Sequence, residues 1–235
     1  MLGREWLEQT LVKTIVITRP GPAAAKFWQR LDADVSGKFR PIFAPLLEIV
    51  AVEADIDLRG VGGLVFSSVN AVEQFARRWS ERNLAAWCVG DATRDAAVGA
   101  GFNAVSAGGD SADLDNLIRK MANKTTGTLL HVRGVHSTSL ALPSVVIYDQ
   151  VAKSMDATAL AQLKTGVDVV TFFSPRTARL FGETAVGRGW NFGDTTAVCL
   201  SAAIAQEVSR VGFGRVIACD RPSMASMMDQ LRRLV

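Results

Sequence analysis

This chain carries one pattern twice. Phe66-Ser67-Ser68-Val69-Asn70-Ala71, with Phe75 after it, is echoed by Phe172-Phe173-Ser174-Pro175-Arg176-Thr177, with Phe181 after it. Trp87-Cys88-Val89-Gly90-Asp91-Ala92, followed by Gly101-Phe102, is echoed by Val198-Cys199-Leu200-Ser201-Ala202-Ala203, followed by Gly212-Phe213. Ser111 and Ser223 open the next segment of each copy. A repeat of such long period indicates two related domains rather than a solenoid of short units. The 235 residues suffice for two cores of modest size, and two like domains imply a cleft between them.

Short β-branched runs alternate with stretches of helical period, the mark of parallel α/β sheets. Thr14-Ile15-Val16-Ile17-Thr18 reads as a buried strand, and residues 21–31, with Pro22 near the start, read as a helix. In the first copy the spacing predicts strands at 63–66, 86–89, 104–105 and 128–132, and helices at 70–80, 92–100 and 111–122. In the second it predicts strands at 169–173, 197–200 and 216–219, and helices at 177–184, 202–211 and 223–234. The first copy ends with the strand through Leu129 to Gly134 and a short helix, a pair that the second copy lacks. The N-terminal run supplies it, with Arg19 standing where Arg133 stands.

The expected fold is therefore α/β, with two similar parallel-sheet, flavodoxin-like domains, one inserted in the other. Residues 1–44 plus 152–235 form the discontinuous domain and residues 47–147 the inserted one. The chain crosses near 45–50, within the extended stretch 41–52, and near 145–151. Both crossings are β-branched rather than Gly/Ser-rich. They are expected to pair as a two-stranded antiparallel β-ladder that acts as a hinge.

Composition narrows the function. A net charge of +3 without a Lys/Arg block argues against a nucleic-acid partner and fits a small anionic ligand. No apolar run is long enough to span a membrane, and Arg4, Glu5 and Glu8 interrupt the N-terminus where a signal peptide would be apolar. A cytoplasmic protein with no membrane partner is expected. It is read as a monomer, because no heptad or exposed apolar stripe is present. Cys88, Cys199 and Cys219 lie in or beside apolar runs and read as buried, reduced thiols.

Several chemistries find no support. His131 and His136 have no ligand-spaced Cys or acidic neighbours, so no metal is expected. No Gly-x-Ser-x-Gly elbow is present, and Arg19-Pro20-Gly21-Pro22 cannot form a dinucleotide fingerprint. What remains is a rim at the C-terminal ends of strands: Arg19, Ser67, Ser68, Gly90, Thr93, Arg133, Gly134, Ser174 and Ser201, with Ser111 and Ser223 as weaker members. Ligands bind there in open parallel sheets, and helix N-termini favour carboxylates or phosphates. Each hydroxyl can equally serve as a helix cap. Tyr148, the single tyrosine, falls on the second crossing. A phenol there could stay a half-buried strand residue, or could donate a proton or hydrogen bond to a leaving hydroxyl.

Read in order, the motifs resemble the uroporphyrinogen-III synthase family over nearly the whole chain. They are Val16-Ile17-Thr18-Arg19-Pro20, Phe66-Ser67-Ser68-Val69-Asn70-Ala71-Val72, Val89-Gly90-Asp91-Ala92-Thr93, Val132-Arg133-Gly134, the tyrosine strand from Val145 to Gln150, and Phe173-Ser174-Pro175. The resemblance implies a lyase of tetrapyrrole biosynthesis without cofactor or metal. Its substrate would be hydroxymethylbilane, a linear polycarboxylate, received by hand-over from the enzyme that makes it. The product is the cyclic isomer with the last pyrrole ring inverted through a spiro intermediate, with loss of water. By motif, Tyr148 matches the tyrosine that assists loss of the hydroxyl, and Thr93 a threonine lining the cleft. Ser68 and Ser174 match serines whose neighbourhood binds carboxylates through backbone N–H groups. Ala202-Ala203 departs from members with hydroxyls there, leaving Ser201 as the local hydroxyl. The alternative is a cytoplasmic two-lobed module that binds an anionic small molecule without transforming it.

Overall fold

The computed structural model describes residues 12–108, 116, 126–137 and 140–235. The chain divides into two compact units, Met1–Glu48 with Ala152–Val235, and Ile49–Val151. Among the described residues no helix is long and apolar enough to cross a membrane.

The discontinuous unit is built on β1 (Lys13–Ile17), β2 (Phe39–Phe43) and three later strands. Between β1 and β2 lie α1 (Gly21–Gln29) and the short α2 (Ala33–Ser36). Residues 41–43 are expected to open the extended crossing stretch 41–52, yet they belong to β2, which pairs in parallel with β1, Ile15 opposite Pro41. Proline cannot donate to a ladder and is tolerated on a sheet edge, which is where β2 lies.

In chain order β3 (Leu47–Ala51) follows, then the inserted unit's β4 (Val61–Phe66), α3 (Val69–Arg78), β5 (Ala85–Cys88), α4 (Asp91–Gly99), β6 (Ala104–Ser106), β7 (Thr128–Gly134) and β8 (Ser144–Ala152). The chain then returns through α5 (Ala157–Lys164), β9 (Val169–Phe172), α6 (Pro175–Gly187), β10 (Thr196–Cys199), α7 (Ala202–Val208), a 3-10 turn at Ser209–Val211, β11 (Arg215–Ala218) and α8 (Met224–Arg232). The short helix expected after β7 is a turn at residues 135–137. The expected helix at 111–122 lies outside the described residues.

The first sheet has the order β11-β10-β9-β1-β2 and is parallel throughout. Counted within the unit this is the doubly wound order 2-1-3-4-5. Both faces are covered, which explains the unbroken apolar strands. Val16, Val170, Phe172 and Cys199 pack on one face with Ala159, Leu163, Ala178, Phe181 and Ile204 from α5, α6 and α7. Ile15, Ile17, Val169 and Val198 pack on the other with Ala24, Phe27, Met227 and Leu231 from α1 and α8.

The second sheet has the order β3-β8-β7-β4-β5-β6. Strands β8 to β6 are mutually parallel. β3 runs antiparallel to β8, because Val52 N donates to Ile147 O (3.0 Å) while Lys153 N donates to Leu46 O (2.9 Å). In this sheet β7 flanks β4, as β1 flanks β9 in the other, so the N-terminal strand fills the place that the later copy leaves open.

The repeat is visible in three dimensions. Phe66, Phe75 and Phe102 form one aromatic triad with centroids 5.7–5.9 Å apart. Phe172, Phe181 and Phe213 form its counterpart at 5.1–6.1 Å. Each triad is closed by a glycine past a helix end, Gly101 at φ +93° and Gly212 at φ +83°. That left-handed conformation stops the helix and turns the next phenylalanine inward.

Candidate functional site

In each sheet the chain reverses its winding direction at a strand pair, β4 with β7 in the inserted unit and β1 with β9 in the discontinuous one. The carboxyl ends of such strands are where doubly wound sheets bind ligands.

In the inserted unit this place holds a tyrosine set by a register fault. Val132 pairs with Val145 and Arg133 with Val146, but Gly134 pairs with Tyr148, so Ile147 is an extra, bulged residue. Side chains alternate between faces, and the bulge therefore turns Tyr148 onto the face that carries α3. Arg78, at the end of α3, fixes the irregularity by donating to Val52 O at 2.8 Å and to Ile147 O. Gly134 is required beneath the ring. A methyl group there would lie 2.5 Å from Tyr148 Cζ.

Tyr148 is 1% exposed, and its phenol donates to Ser68 Oγ at 3.1 Å. Ser68 caps α3 and also accepts from Asn70 N at 3.0 Å. Two accepted bonds use both lone pairs of a hydroxyl oxygen, so the proton of this half-buried serine is directed to a third group. Beside it, Ser67 Oγ lies 3.0 Å from His131 Nε2. His131 is fully buried, and its Nδ1 has no partner. Burial, with a smaller contribution from the positive charge of Arg133, lowers its pKa from 6.5 to about 4, so the ring is neutral.

The remaining expected residues of this unit are dispersed along the rim. Gly90 caps α4 through its backbone, and Thr93, 5% exposed, donates its N–H to Gly90 O at 3.1 Å. Arg133 turns back on its own strand, donating to Ser144 Oγ and Gly134 O, each at 3.2 Å. Ser111 lies outside the described residues. His136 pairs with Asp149 at 3.0 Å.

In the discontinuous unit, Arg19 lies over the Phe173 ring at 4.7 Å and reaches Met224 Sδ at 3.3 Å. Ser174 caps α6, accepting from Thr177 N at 3.2 Å. Ser223 caps α8 in the same manner through Ser226 N at 3.1 Å. Ser201 precedes α7 without a side-chain capping bond. Of the five rim serines among the described residues, three (Ser68, Ser174 and Ser223) commit the hydroxyl oxygen to a helix N-terminus.

Two further residues join the rims. Arg176, in the first turn of α6 beside Ser174, has a buried Nη1 without a partner. His131 is the other; its sequence spacing speaks only to metal binding. The usable signal was the point where the two copies differ: Ser67 corresponds to Phe173, and His131, two places before Arg133, corresponds to Ile17. The three cysteines are free and buried. Burial pushes Cys88 and Cys199 up to about 12.

Residues 34–229 match the family model described as uroporphyrinogen-III synthase HemD. No curated protein matches the chain by sequence. Among solved structures, a crystal structure of uroporphyrinogen-III synthetase from Helicobacter pylori superposes with a TM-score of 0.66 at 15% identity. The match covers 95% of this chain and all (100%) of that one, a likeness of fold. A uroporphyrinogen III synthase structure from Thermus thermophilus matches over 94% of this chain and 97% of that chain, at 14% identity and a TM-score of 0.41.

Proposed function

The chain belongs to the uroporphyrinogen-III synthase family, and from that premise we propose that it cyclises hydroxymethylbilane with inversion of the last pyrrole ring. Departure of the first ring's hydroxyl as water leaves an electrophilic azafulvene. The substituted α-carbon of the last ring attacks it, giving a spiro intermediate that fragments and recloses with the ring turned over. Every step is heterolytic and the pyrroles supply the electron pairs, so no cofactor is called for.

The observation that carries this reading is the Tyr148 phenol, held over Gly134 and donating to Ser68 at the N-terminus of α3. In this reading Ser68 presents its proton to the leaving hydroxyl, with Tyr148 behind it keeping the serine polarised. Carboxylates of the substrate are met by the rims. Ser67, Gly90, Thr93, Arg133 and Gly134 serve in the inserted unit, and Arg19, Ser174, Ser201 and Ser223 in the discontinuous one. Helix N-termini contribute backbone donors, which survive where Ala202-Ala203 replaces hydroxyls. Spontaneous closure gives the uninverted ring, so catalysis rests on holding a flexible chain for spiro attack. The same instability favours hand-over of substrate in the cytoplasm, to a monomeric synthase.

The test is incubation with freshly made hydroxymethylbilane, followed by separation of the porphyrin isomers. The inverted isomer is expected. Formation of the uninverted isomer alone would overturn the reading and leave a binding module for an anionic small molecule.

A further inference from the structure

The Ser67–His131 pair has no counterpart in the other copy of the repeat. Where the inserted unit has His131 on β7 and Ser67 after β4, the discontinuous unit has Ile17 on β1 and Phe173 after β9. Ile17 is fully buried in that unit's core, and Phe173 packs on Phe27 at 5.0 Å. The same architecture is thus completed by apolar residues in one unit and by a buried imidazole in the other. Burying a polar group costs free energy unless it is paired, and His131 retains one unpaired nitrogen. The fold does not require that cost.

We infer that His131 is a positioning residue that fixes the hydroxyl of Ser67 as an outward donor to a substrate carboxylate at the N-terminus of α3. The tautomer follows from the contacts. A proton on Nδ1 would bury an N–H with no acceptor, whereas a proton on Nε2 is used in the bond to Ser67 Oγ, and orphaned donors are the rarer case in folded proteins. His131 therefore donates, and Ser67 accepts. The serine proton is then left for an acceptor outside the protein. A carboxylate completes a chain from Nε2–H to Oγ, and from Oγ–H to the anion, in which each bond strengthens the next. The serine is half-buried, and the positive end of α3 adds to the attraction. No proton is transferred. The pair acts in binding, unlike Tyr148 and Ser68, which face the leaving hydroxyl.

The inference rests on the synthase reading for its substrate and is tested in two ways. Selective nitrogen-15 labelling of histidine gives signals from His131 and His136 only, and His136→Gln assigns them. His131 is expected with its proton on Nε2 and a bare Nδ1 at neutral pH; a proton on Nδ1 would overturn the inference. Steady-state kinetics then compare Ser67→Ala, His131→Ile, which installs the residue of the other copy, and His131→Gln, whose amide can still donate to Ser67. Ser67→Ala and His131→Ile should each raise KM roughly tenfold, as for a lost hydrogen bond to a charged group, with kcat within about twofold. The double variant should be no worse than either single one, and His131→Gln should recover most of the loss. Unchanged KM in Ser67→Ala, or a fall in kcat without change in KM, would remove the pair from carboxylate binding. If the unmodified protein forms only the uninverted isomer, the synthase reading falls by that result. The tautomer then decides the pair by itself.

Discussion

Gly134 and Tyr148 face each other across the β7–β8 bulge with no room for a methyl group between them. The contact is to the ring carbons on strands whose backbones are hydrogen-bonded, with Val135 N donating to Tyr148 O at 3.0 Å. The backbones are fixed by the ladder, so the buried ring must shift within the packed core to admit a methyl group. Gly134→Ala should destabilise the protein by about 1–3 kcal/mol, as overpacking does, and should displace the phenol from Ser68. Turnover should fall with it. Thermal unfolding and the isomer assay check both, and an alanine variant with unaltered stability would show that the ring is not confined.

The Tyr148 to Ser68 bond separates chemistry from stability. Tyr148→Phe removes one neutral hydrogen bond and should cost about 1 kcal/mol, leaving the fold intact while slowing turnover markedly. Ser68→Ala should cost more, about 2–3 kcal/mol, because it deletes a helix cap and leaves a buried phenol without an acceptor. Loss of activity should be partial in both, since water can also protonate the leaving hydroxyl. Unchanged turnover in Tyr148→Phe would take the phenol out of the mechanism.

Stability should fall with acid through His131. Its pKa is lowered from 6.5 to about 4 in the folded protein, so between those values the unfolded chain holds a proton that the folded chain does not. Stability then rises with pH across that window and is lost as pH falls from about 6.5 towards about 4, with a slope of at most about 1.4 kcal/mol per pH unit. Melting temperatures from about pH 7 to about pH 4.5 should decline less steeply in His131→Ile than in the unmodified protein. Equal slopes would assign the acid sensitivity to other groups.

The thiols should be inert while the protein is folded. Cys88, Cys199 and Cys219 are buried, and the first two are pushed up to about 12 by burial, leaving almost no thiolate at neutral pH. Mass spectrometry after brief alkylation should find no adduct, and three after denaturation. Rapid labelling of the native protein would contradict the packing of β5 and β10.

The aromatic triads should carry much of each unit's stability. Phe181 is fully buried among Phe172, Phe192 and Phe213, so Phe181→Ala should cost about 3–5 kcal/mol. A loss below about 1 kcal/mol in denaturant unfolding would mean that the cluster relaxes around the cavity.

Much of the fold was legible because the signals are local. β-Branched runs, the glycines at 101 and 212, and the echo of Phe66-Ser67-Ser68 in Phe172-Phe173-Ser174 each act within a few residues. The match of Arg19 with Arg133 extended them to an N-terminal strand that completes the later copy. The parallel pairing of residues 39–43 with β1 escaped because 41–52 reads as one extended stretch, and which strand it joins is fixed only by pairing across the sheet. The helix Ala157–Lys164 is set by its Asp156 cap, and its weak apolar pattern gives little sign of it in the sequence.

The rims were legible as residue types and not as contacts. Ser68 and Tyr148 are 80 residues apart in the chain, and Ser67 and His131 are 64 apart. By itself the sequence determined the doubled α/β plan and the ends of strands at which polar groups gather, since these follow from local propensity and hydrophobic period. Only the tertiary structure decided that Ile147 bulges, that Tyr148 therefore turns onto Ser68, and that the buried His131 meets Ser67. Strand register is fixed by pairing across the sheet, and one extra residue there moves a side chain from one face to the other.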